Sequence, residues 1–166
     1  MKRNYHRVFS SIIVLLFCSW QLSFGQDTSL VSVNKKIINR YFDEVINMHD
    51  LNRMNEYFSR DYIWHQMNGT DSHSSQDSSH IAMLRFLCMA IPDIHYTIIN
   101  VIAEGDMIAV NSTVSGTAKS EMFGLPTAQK KVSFKQMFFF RFINNKIKEE
   151  WEVVDVDGMK AQLAKP

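Results

Sequence analysis

The first half of the chain has apolar positions that repeat with a helical period. Between Ser29 and Met48 the apolar residues recur in adjacent pairs, and successive pairs lie four residues apart. Because residues three and four apart share one face of a helix, this spacing predicts an amphipathic helix with one broad apolar side. The residues on that side are Ile37, Ile38, Tyr41, Phe42, Val45 and Ile46.

Shorter patterns predict the elements that follow this helix. Asp50 is a candidate N-cap for a short second helix. The segment from Asp61 to Met67 predicts a strand, and the segment from Asn68 to Ser79 predicts a polar loop, because it has too little apolar surface to pack. A third helix is expected from about His80 to Ile91, where Pro92 would end it.

The second half of the chain alternates apolar and polar residues, as strands do. Ile94 to Ala118 predicts two strands joined by a tight turn at Glu104 to Asp106. Two further strands are expected over Lys130 to Phe142 and Lys146 to Val156, followed by a short helix near Asp157. Helices first and antiparallel strands afterwards predict an α+β domain whose sheet curls around the helices.

The N-terminus has a different pattern. Basic residues precede an apolar run from Ser11 to Trp20, and the small residues Ser23 and Gly25 follow it. This order predicts a secretory signal peptide over residues 1–25, cleaved after Gly25. The run is shorter than the ~20 apolar residues of a membrane helix. We therefore expect export to the periplasm or the extracellular space, with a mature domain over residues 26–166 and no membrane contact after cleavage.

The composition narrows the classes of function. Residues 26–166 number 141, which is enough for a single domain. They carry 15 basic and 17 acidic side chains, a charge balance that does not favour the binding of nucleic acid. Glycine-rich nucleotide motifs are absent, and His73 and His80 lack the spacing of a metal site, so we expect no cofactor and no metal.

Lipoprotein processing at Cys18 is an alternative to cleavage after Gly25, but the bulky Phe17 disfavours it. Cleavage after Gly25 would remove Cys18 and leave Cys88 as the only mature thiol, which excludes an internal disulfide.

The last predicted strand, "KIKEEWEVVDV", is unusually acidic and has two faces to choose between. Side chains alternate across a strand, so Glu149, Trp151, Val153 and Asp155 share one face, and Glu150, Glu152 and Val154 share the other. Apolar content favours burial of the Trp151 face. A carboxylate that faced an apolar interior would have a raised pKa and could serve as a general acid or base.

Four segments together resemble the SnoaL-like polyketide cyclases, or ester cyclases, of the NTF2-like superfamily. They are "NRYFDEVINMHDLNRMNEYFSRDYIWHQ" (Asn39 to Gln66), "PDIHYTIINVIAEGDMIAVNSTVSGT" (Pro92 to Thr117), "FGLPTAQKKVSF" (Phe123 to Phe134) and "FRFINNKIKEEWEVVD" (Phe140 to Asp155). The resemblance implies a cone-shaped, curved antiparallel sheet wrapped around N-terminal helices. It also implies a pocket for a small apolar molecule and a homodimer formed through the sheet.

The resemblance also implies roles for residues of the last strand. Related cyclases commonly have Glu-His-Trp-Asp here, and the acid after the tryptophan is implicated in proton transfer. Glu152 occupies that position and is the first candidate for catalysis, while Glu150 replaces the histidine. This choice would place Trp151 outside the cone in a subunit contact, against the apolar argument above. Both orientations stay open from sequence, and Asp155 is a candidate for substrate contact or for capping the following helix.

Other strands supply the remaining candidates. Relatives commonly place a histidine in the pocket where His65 stands, which makes His65 the second catalytic candidate. Phe138 replaces a polar partner of the acid, which weakens the case for cyclisation, and Gln136 on the same face could donate a hydrogen bond. Phe138 and, more weakly, Tyr41 would line an apolar pocket, although core packing alone would also explain them.

Two functions follow as alternatives. The first is an exported domain that binds a small apolar carbonyl compound and carries out cofactor-free acid-base cyclisation or isomerisation, with Glu152 removing a proton while His65 or Gln136 steadies the oxygen. The second is a non-catalytic binding or dimerisation module, because this fold serves many functions.

Overall fold

The computed structural model describes residues 25–73, 79–119, 121–127 and 129–165. Its strands are β1 (Phe58–His65), β2 (Asp71–His73), β3 (His95–Glu104), β4 (Met107–Ala118), β5 (Lys130–Ile143) and β6 (Lys146–Val154). They form one open, curved sheet in the order β2-β1-β6-β5-β4-β3. Only the β1–β6 pair is parallel among these strands, so the chain must return across the sheet between them.

Buried side chains of the helices share one core with the inward side chains of this sheet. The helices are α1 (Gly25–Tyr41), a π-helical turn (Phe42–Ile46), a 3₁₀ helix (Leu51–Glu56), α2 (Ser79–Ala90) and α3 (Val156–Leu163). The predicted α+β class is therefore confirmed. None of the helices in the described part of the chain has the length and hydropathy needed to cross a bilayer. Most of the predicted signal peptide lies outside the described residues.

Two elements differ from the sequence prediction, and both differences have physical causes. The segment predicted as polar loop contains β2, a three-residue edge strand that pairs with β1 through backbone hydrogen bonds and needs little apolar surface of its own. The first helix ends in a π-helical turn, in which the Asn47 N–H donates to the Phe42 carbonyl at 2.8 Å. This wider turn lets the adjacent residues Tyr41 and Phe42 both face the core.

An aromatic cluster fills much of the space between α1 and the sheet. Burial alternates along β5, where Phe134, Phe138 and Phe140 point inward. Phe42 contacts Phe138 edge-on at a centroid distance of 5.3 Å, and Phe138 stacks on Phe140 at 5.6 Å. Pairs of this kind contribute about 0.5–1.5 kcal/mol each beyond the burial of their area. Core packing therefore accounts for a large part of the phenylalanine content of β5.

Asn47 joins the end of the helical segment to the edge strand β3. Its side-chain amide donates to the Tyr96 carbonyl at 3.1 Å, and its Oδ1 accepts from the Tyr96 N–H at 2.8 Å. His49 Nε2 lies 3.0 Å from the Ile94 carbonyl in the same contact region. These bonds satisfy backbone groups at the start of an edge strand, beside which the described residues form no further strand.

Gly116 in β4 gives the first stability prediction. A Cβ atom there would lie 2.4 Å from Ile91 Cγ2 and 3.1 Å from the Ile94 Cα, so the turn after α2 could not pack against the strand without moving. Gly116→Ala is expected to lower the free energy of unfolding by about 1–3 kcal/mol, as overpacked sites do. Urea denaturation measures the loss, and Ser115→Ala at the exposed neighbouring position is the control. An unchanged stability of Gly116→Ala would contradict the packing described.

Candidate functional site

The inner face of β6 carries two acidic side chains into the core. Glu150 is 1% exposed and Glu152 is 8% exposed, whereas Val153 on the opposite face is 48% exposed. Pairing fixes this orientation, because Phe138 and Phe140 of the inward β5 face are the register partners of Glu152 and Glu150. The face that carries Glu150 and Glu152 is thus the buried one, which accords with the family resemblance and contradicts the argument from apolar content.

Glu152 has a polar environment that is small and specific. Gln136 Nε2 donates to its Oε2 at 2.6 Å. The buried Trp64 Nε1 is close enough to help lower the pKa of Glu152, although it makes no hydrogen bond of standard geometry. Burial outweighs both donors and raises the pKa of Glu152 to about 7. A carboxyl group that ionises near neutrality is a usable proton acceptor.

Glu150 lies at the end of a second set of buried polar groups. The Tyr62 hydroxyl donates to Glu150 Oε2 at 2.7 Å and lies 2.9 Å from His80 Nδ1. Burial and the neighbouring Glu152 raise the pKa of Glu150 well above its usual range, and the hydrogen bond from Tyr62 partly opposes that rise. Burial also lowers the pKa of His80 to about 3, so the imidazole is neutral. Two acids and a histidine thus meet in an interior that disfavours charge on each of them.

Aromatic side chains surround this polar group. Tyr41 is 2% exposed and contacts Phe58 at a centroid distance of 5.1 Å. Burial, followed by the field of Glu150, raises the pKa of Tyr41 well above 10, so it stays neutral. Phe138 is buried, is the register partner of Glu152, and faces Tyr96 of β3 at 6.3 Å. The predicted candidates Glu152, Glu150, Gln136, Phe138 and Tyr41 all lie on this inward side.

The prediction that His65 faces the interior is wrong. His65 lies on the outer face, where it stacks on Trp151 with centroids 4.4 Å apart and its Nδ1 lies 2.9 Å from Asp71 Oδ1. The cause is the alternation of side chains along β1, in which Tyr62 and Trp64 occupy the inward positions and His65 takes the opposite face. The structure does not bring His65 together with Glu152.

Trp151 and Asp155 also lie away from the inward carboxylates. Trp151 is on the outer face, with the Arg141 guanidinium 5.9 Å from its ring centroid. Asp155 caps α3, because its Oδ1 accepts from the Gly158 N–H at 2.9 Å. This capping bond is the second of the two roles considered for Asp155 from sequence.

Sequence reasoning missed the groups that contact Glu150. His80 lies at the start of α2 after a polar segment, where it resembles an exposed residue, and Tyr62 lies among apolar residues of β1, where it resembles a core residue. No local pattern signals that residues 18 and 88 positions apart share one hydrogen-bonded chain. A buried tyrosine must find a partner for its hydroxyl, and that requirement was the available clue.

The arrangement supports proton transfer and offers no evident metal centre. Among the described residues, no cluster of three or more histidine, cysteine, aspartate or glutamate side chains is placed to hold a metal ion. The inward acids instead resemble the pairs of carboxyl groups that enzymes use as acid and base, because their environments push their pKa values away from the ordinary range. Gln136 could also orient a polar atom of a bound molecule.

The sequence profile of the SnoaL-like polyketide cyclases matches residues 36–163. No curated protein resembles the chain closely enough in sequence to count as a match.

Solved structures with the same fold agree with that assignment. AclR from Streptomyces galilaeus superposes with a TM-score of 0.73 at 23% identity, covering 82% of this chain and 87% of AclR. IdmH from Streptomyces antibioticus gives 0.71 at 22% identity over 80% of this chain and 99% of its own. A SnoaL-like protein from Jannaschia sp. superposes with a TM-score of 0.74 at 20% identity, covering 86% of this chain and 99% of the Jannaschia protein. At these identities the likeness concerns the fold, which is the predicted NTF2-like architecture.

Proposed function

The chain belongs to the SnoaL-like polyketide cyclase family, and from that premise we propose that it binds a small, largely apolar carbonyl compound and acts on it by cofactor-free acid-base chemistry. Glu152 removes a proton from the carbon beside the carbonyl group. Gln136, which already donates to Glu152, steadies the substrate oxygen. The resulting enolate is the common first intermediate of an isomerisation and of a ring closure.

The observation that carries this proposal is the burial of Glu152 beside Glu150 in an aromatic interior. An ionised carboxylate without a cation is costly in such a place. In the described part of the chain, the groups that shift the pKa values of the two acids include no lysine or arginine. Two hydrophobic residues would be more stable there, so the acids are best explained by proton transfer.

The second candidate is a module that binds an apolar molecule or a second copy without chemistry. The contacts of Phe138 with Phe42 and Phe140 support it, because they fill part of the interior with side chains. Under this alternative the carboxylates would serve only to orient a ligand.

Hydrogen exchange at carbon separates the two candidates. The protein is incubated in D₂O with a panel of apolar ketones and 1,3-diketones, and NMR follows deuterium uptake beside the carbonyl. The proposed enzyme accelerates exchange of at least one compound above the buffer rate. Binding of several panel members, seen by ligand-observed NMR, with no acceleration for any would favour the module.

We also propose that the protein is exported, as the pattern of residues 1–25 predicts. Expression of the full chain with a C-terminal tag tests this proposal. The secreted or periplasmic fraction should hold a product that begins at Gln26, which N-terminal sequencing identifies. A tagged product that stays in the cytoplasm and begins at Met1 would contradict export.

Dimerisation through the outer sheet face is a further part of the proposal. Ile102, Ala109, Phe139 and Trp151 form one row of register partners across this face, and Phe139 is 46% exposed. Phe139→Glu is expected to weaken dimerisation more than about 100-fold, because it places an unpaired charge in an apolar contact. Analytical ultracentrifugation measures the change, with exposed Met48→Glu as the control. A monomeric wild type at micromolar concentration would contradict a sheet-mediated dimer.

A further inference from the structure

Three buried groups remain that the general base alone does not require. Tyr62 is fully buried, His80 is 2% exposed, and both lie beside Glu150 rather than beside Glu152. His80 also stacks on Trp64 with centroids 4.9 Å apart, which fixes the plane of its ring. A purely structural core would not need to bury three titratable groups on three elements that are distant in sequence.

When Glu150 is ionised, the number of protons in this chain fixes the direction of its hydrogen bonds. Tyr62 has a single hydroxyl proton, and it donates that proton to Glu150 Oε2. The neutral His80 must then carry its own proton on Nδ1 and donate it to the Tyr62 oxygen, 2.9 Å away. The chain His80 to Tyr62 to Glu150 is therefore an oriented series of donors that stabilises negative charge on Glu150.

Glu152 has a separate donor of its own. Gln136 Nε2 donates to Glu152 at 2.6 Å and so stabilises negative charge on that carboxylate. Glu150 and Glu152 are two residues apart on one face of β6, which separates their Cα atoms by about 7 Å. At that spacing in a buried site the two like charges repel strongly, so the pair holds one proton in common near neutral pH.

We propose that Tyr62 and His80 are positioning residues that set where the shared proton of Glu150 and Glu152 resides, in opposition to Gln136. The donor chain draws the single negative charge toward Glu150, and Gln136 draws it toward Glu152. Only the second arrangement leaves Glu152 free to accept a proton from a substrate. This inference rests on the proposed function, because it gives Glu152 the role of base.

The other described side chains near Glu150 and Glu152 carry no charge, and only Trp64 shifts the pKa of a member of the pair. Trp64 of β1 adds to the stabilisation of ionised Glu152, while Tyr41 of α1 and Tyr96 of β3 stay neutral because burial raises the pKa of each above 10. Phe138 and Phe140 of β5 supply no charge. Substitution of one donor at a time should therefore move one carboxyl group selectively.

The test is a ¹³C NMR titration of protein labelled at the glutamate carboxyl carbons, with Glu150→Gln and Glu152→Gln used for assignment. Tyr62→Phe should raise the midpoint of Glu150 by about one to two pH units, the value of a hydrogen bond to a charged group. If the Glu150 midpoint of this variant moves above about pH 10, so that no transition is seen below that pH, the result also counts as such a rise. Gln136→Met should raise the midpoint of Glu152 by a similar amount and leave Glu150 the less affected.

The controls separate this effect from general disturbance of the core. Tyr96→Phe removes a buried hydroxyl that donates to neither carboxylate and should move neither midpoint. His80→Phe should raise the Glu150 midpoint by less than Tyr62→Phe, because it removes the second bond of the chain. Tyr62→Phe that folds normally but leaves Glu150 unmoved would overturn this inference alone. A Glu152 midpoint near 4.5 in the wild type would overturn the proposed function as well.

Discussion

Glu152→Gln is expected to slow hydrogen exchange of the best panel compound by about 10² to 10⁴-fold, the usual contribution of a positioned general base. Glutamine keeps the shape of the side chain and can still accept from Gln136, but it cannot accept a proton from carbon. The Kd of the variant for the ketone should therefore differ little from that of the wild type. A selective loss of rate with binding retained identifies an interaction made in the transition state.

The control for this variant lies on the same strand. Glu149 is next to Glu150 but is on the outer face, where its Oε2 lies 3.6 Å from His65 Nε2 and from Arg141 Nη1. Glu149→Gln should leave the exchange rate within about twofold of the wild type, since surface changes rarely disturb a buried site. Equal losses from the two variants would mean that charge in general, and not the inward carboxylate, supports the reaction.

Glu152→Gln is also expected to stabilise the protein at pH 8 by about 3 kcal/mol relative to its effect at pH 4. The pKa of Glu152 is raised from 4.5 to about 7 on folding. Between these values the folded chain binds a proton that the unfolded chain has lost, so the free energy of unfolding falls as pH rises through this window. A shift of this size corresponds to about 3 kcal/mol. Glutamine has no proton to lose and escapes this destabilisation.

Comparison of variant and wild type at each pH removes the contributions of groups that do not interact with Glu152. His80 has the opposite sign, because burial lowers its pKa to about 3 and folding is disfavoured where the unfolded imidazole is charged. The contribution of His80 to the free energy of unfolding is the same in both proteins, so it cancels when their stabilities are subtracted. Urea denaturation at pH 4, 6 and 8 provides the values. A stability difference that stays constant across this range would show that Glu152 titrates normally.

Most of the fold follows from hydrophobic periodicity because its helices and long strands have one buried face each. Alternation along β5 predicted that Gln136 and Phe138 share one face, and both are buried. Short β2 was missed because a three-residue edge strand is held by backbone pairing, which leaves no apolar pattern. The π-helical turn was missed because one extra residue per turn does not alter the spacing of the pairs enough to show.

The candidate site was only partly predictable, for a reason that applies to buried functional groups in general. Hydrophobic patterning places polar residues outside, so it assigned Trp151 to the core and Glu150 to solvent, and only the family resemblance favoured the observed orientation. His65 was misplaced because the resemblance assigned it to the pocket, whereas Tyr62 and Trp64, which alternate with it along β1, are the buried residues. Tyr62 and His80 were not recognised because their role depends on a contact between distant segments.

The stability lost by burying two acids is consistent with a site kept for its chemistry rather than for folding. Elsewhere the chain pairs its charges in solvent, as in the network where Arg40, Arg53 and Tyr57 surround Glu44 and lower its pKa to about 2. Comparable cationic partners are not among the groups that shift Glu150 or Glu152. The contrast indicates that the interior is arranged to keep its carboxyl groups protonatable.

The most direct measurement is the ionisation of Glu152 itself in the intact protein, followed by its ¹³C carboxyl resonance from pH 3 to pH 10. A midpoint about pH 7, absent from the spectrum of Glu152→Gln, is the result that burial in an aromatic interior requires. A midpoint near 4.5, the ordinary value for glutamate, would mean that water reaches the side chain freely and would contradict its role as a base at neutral pH.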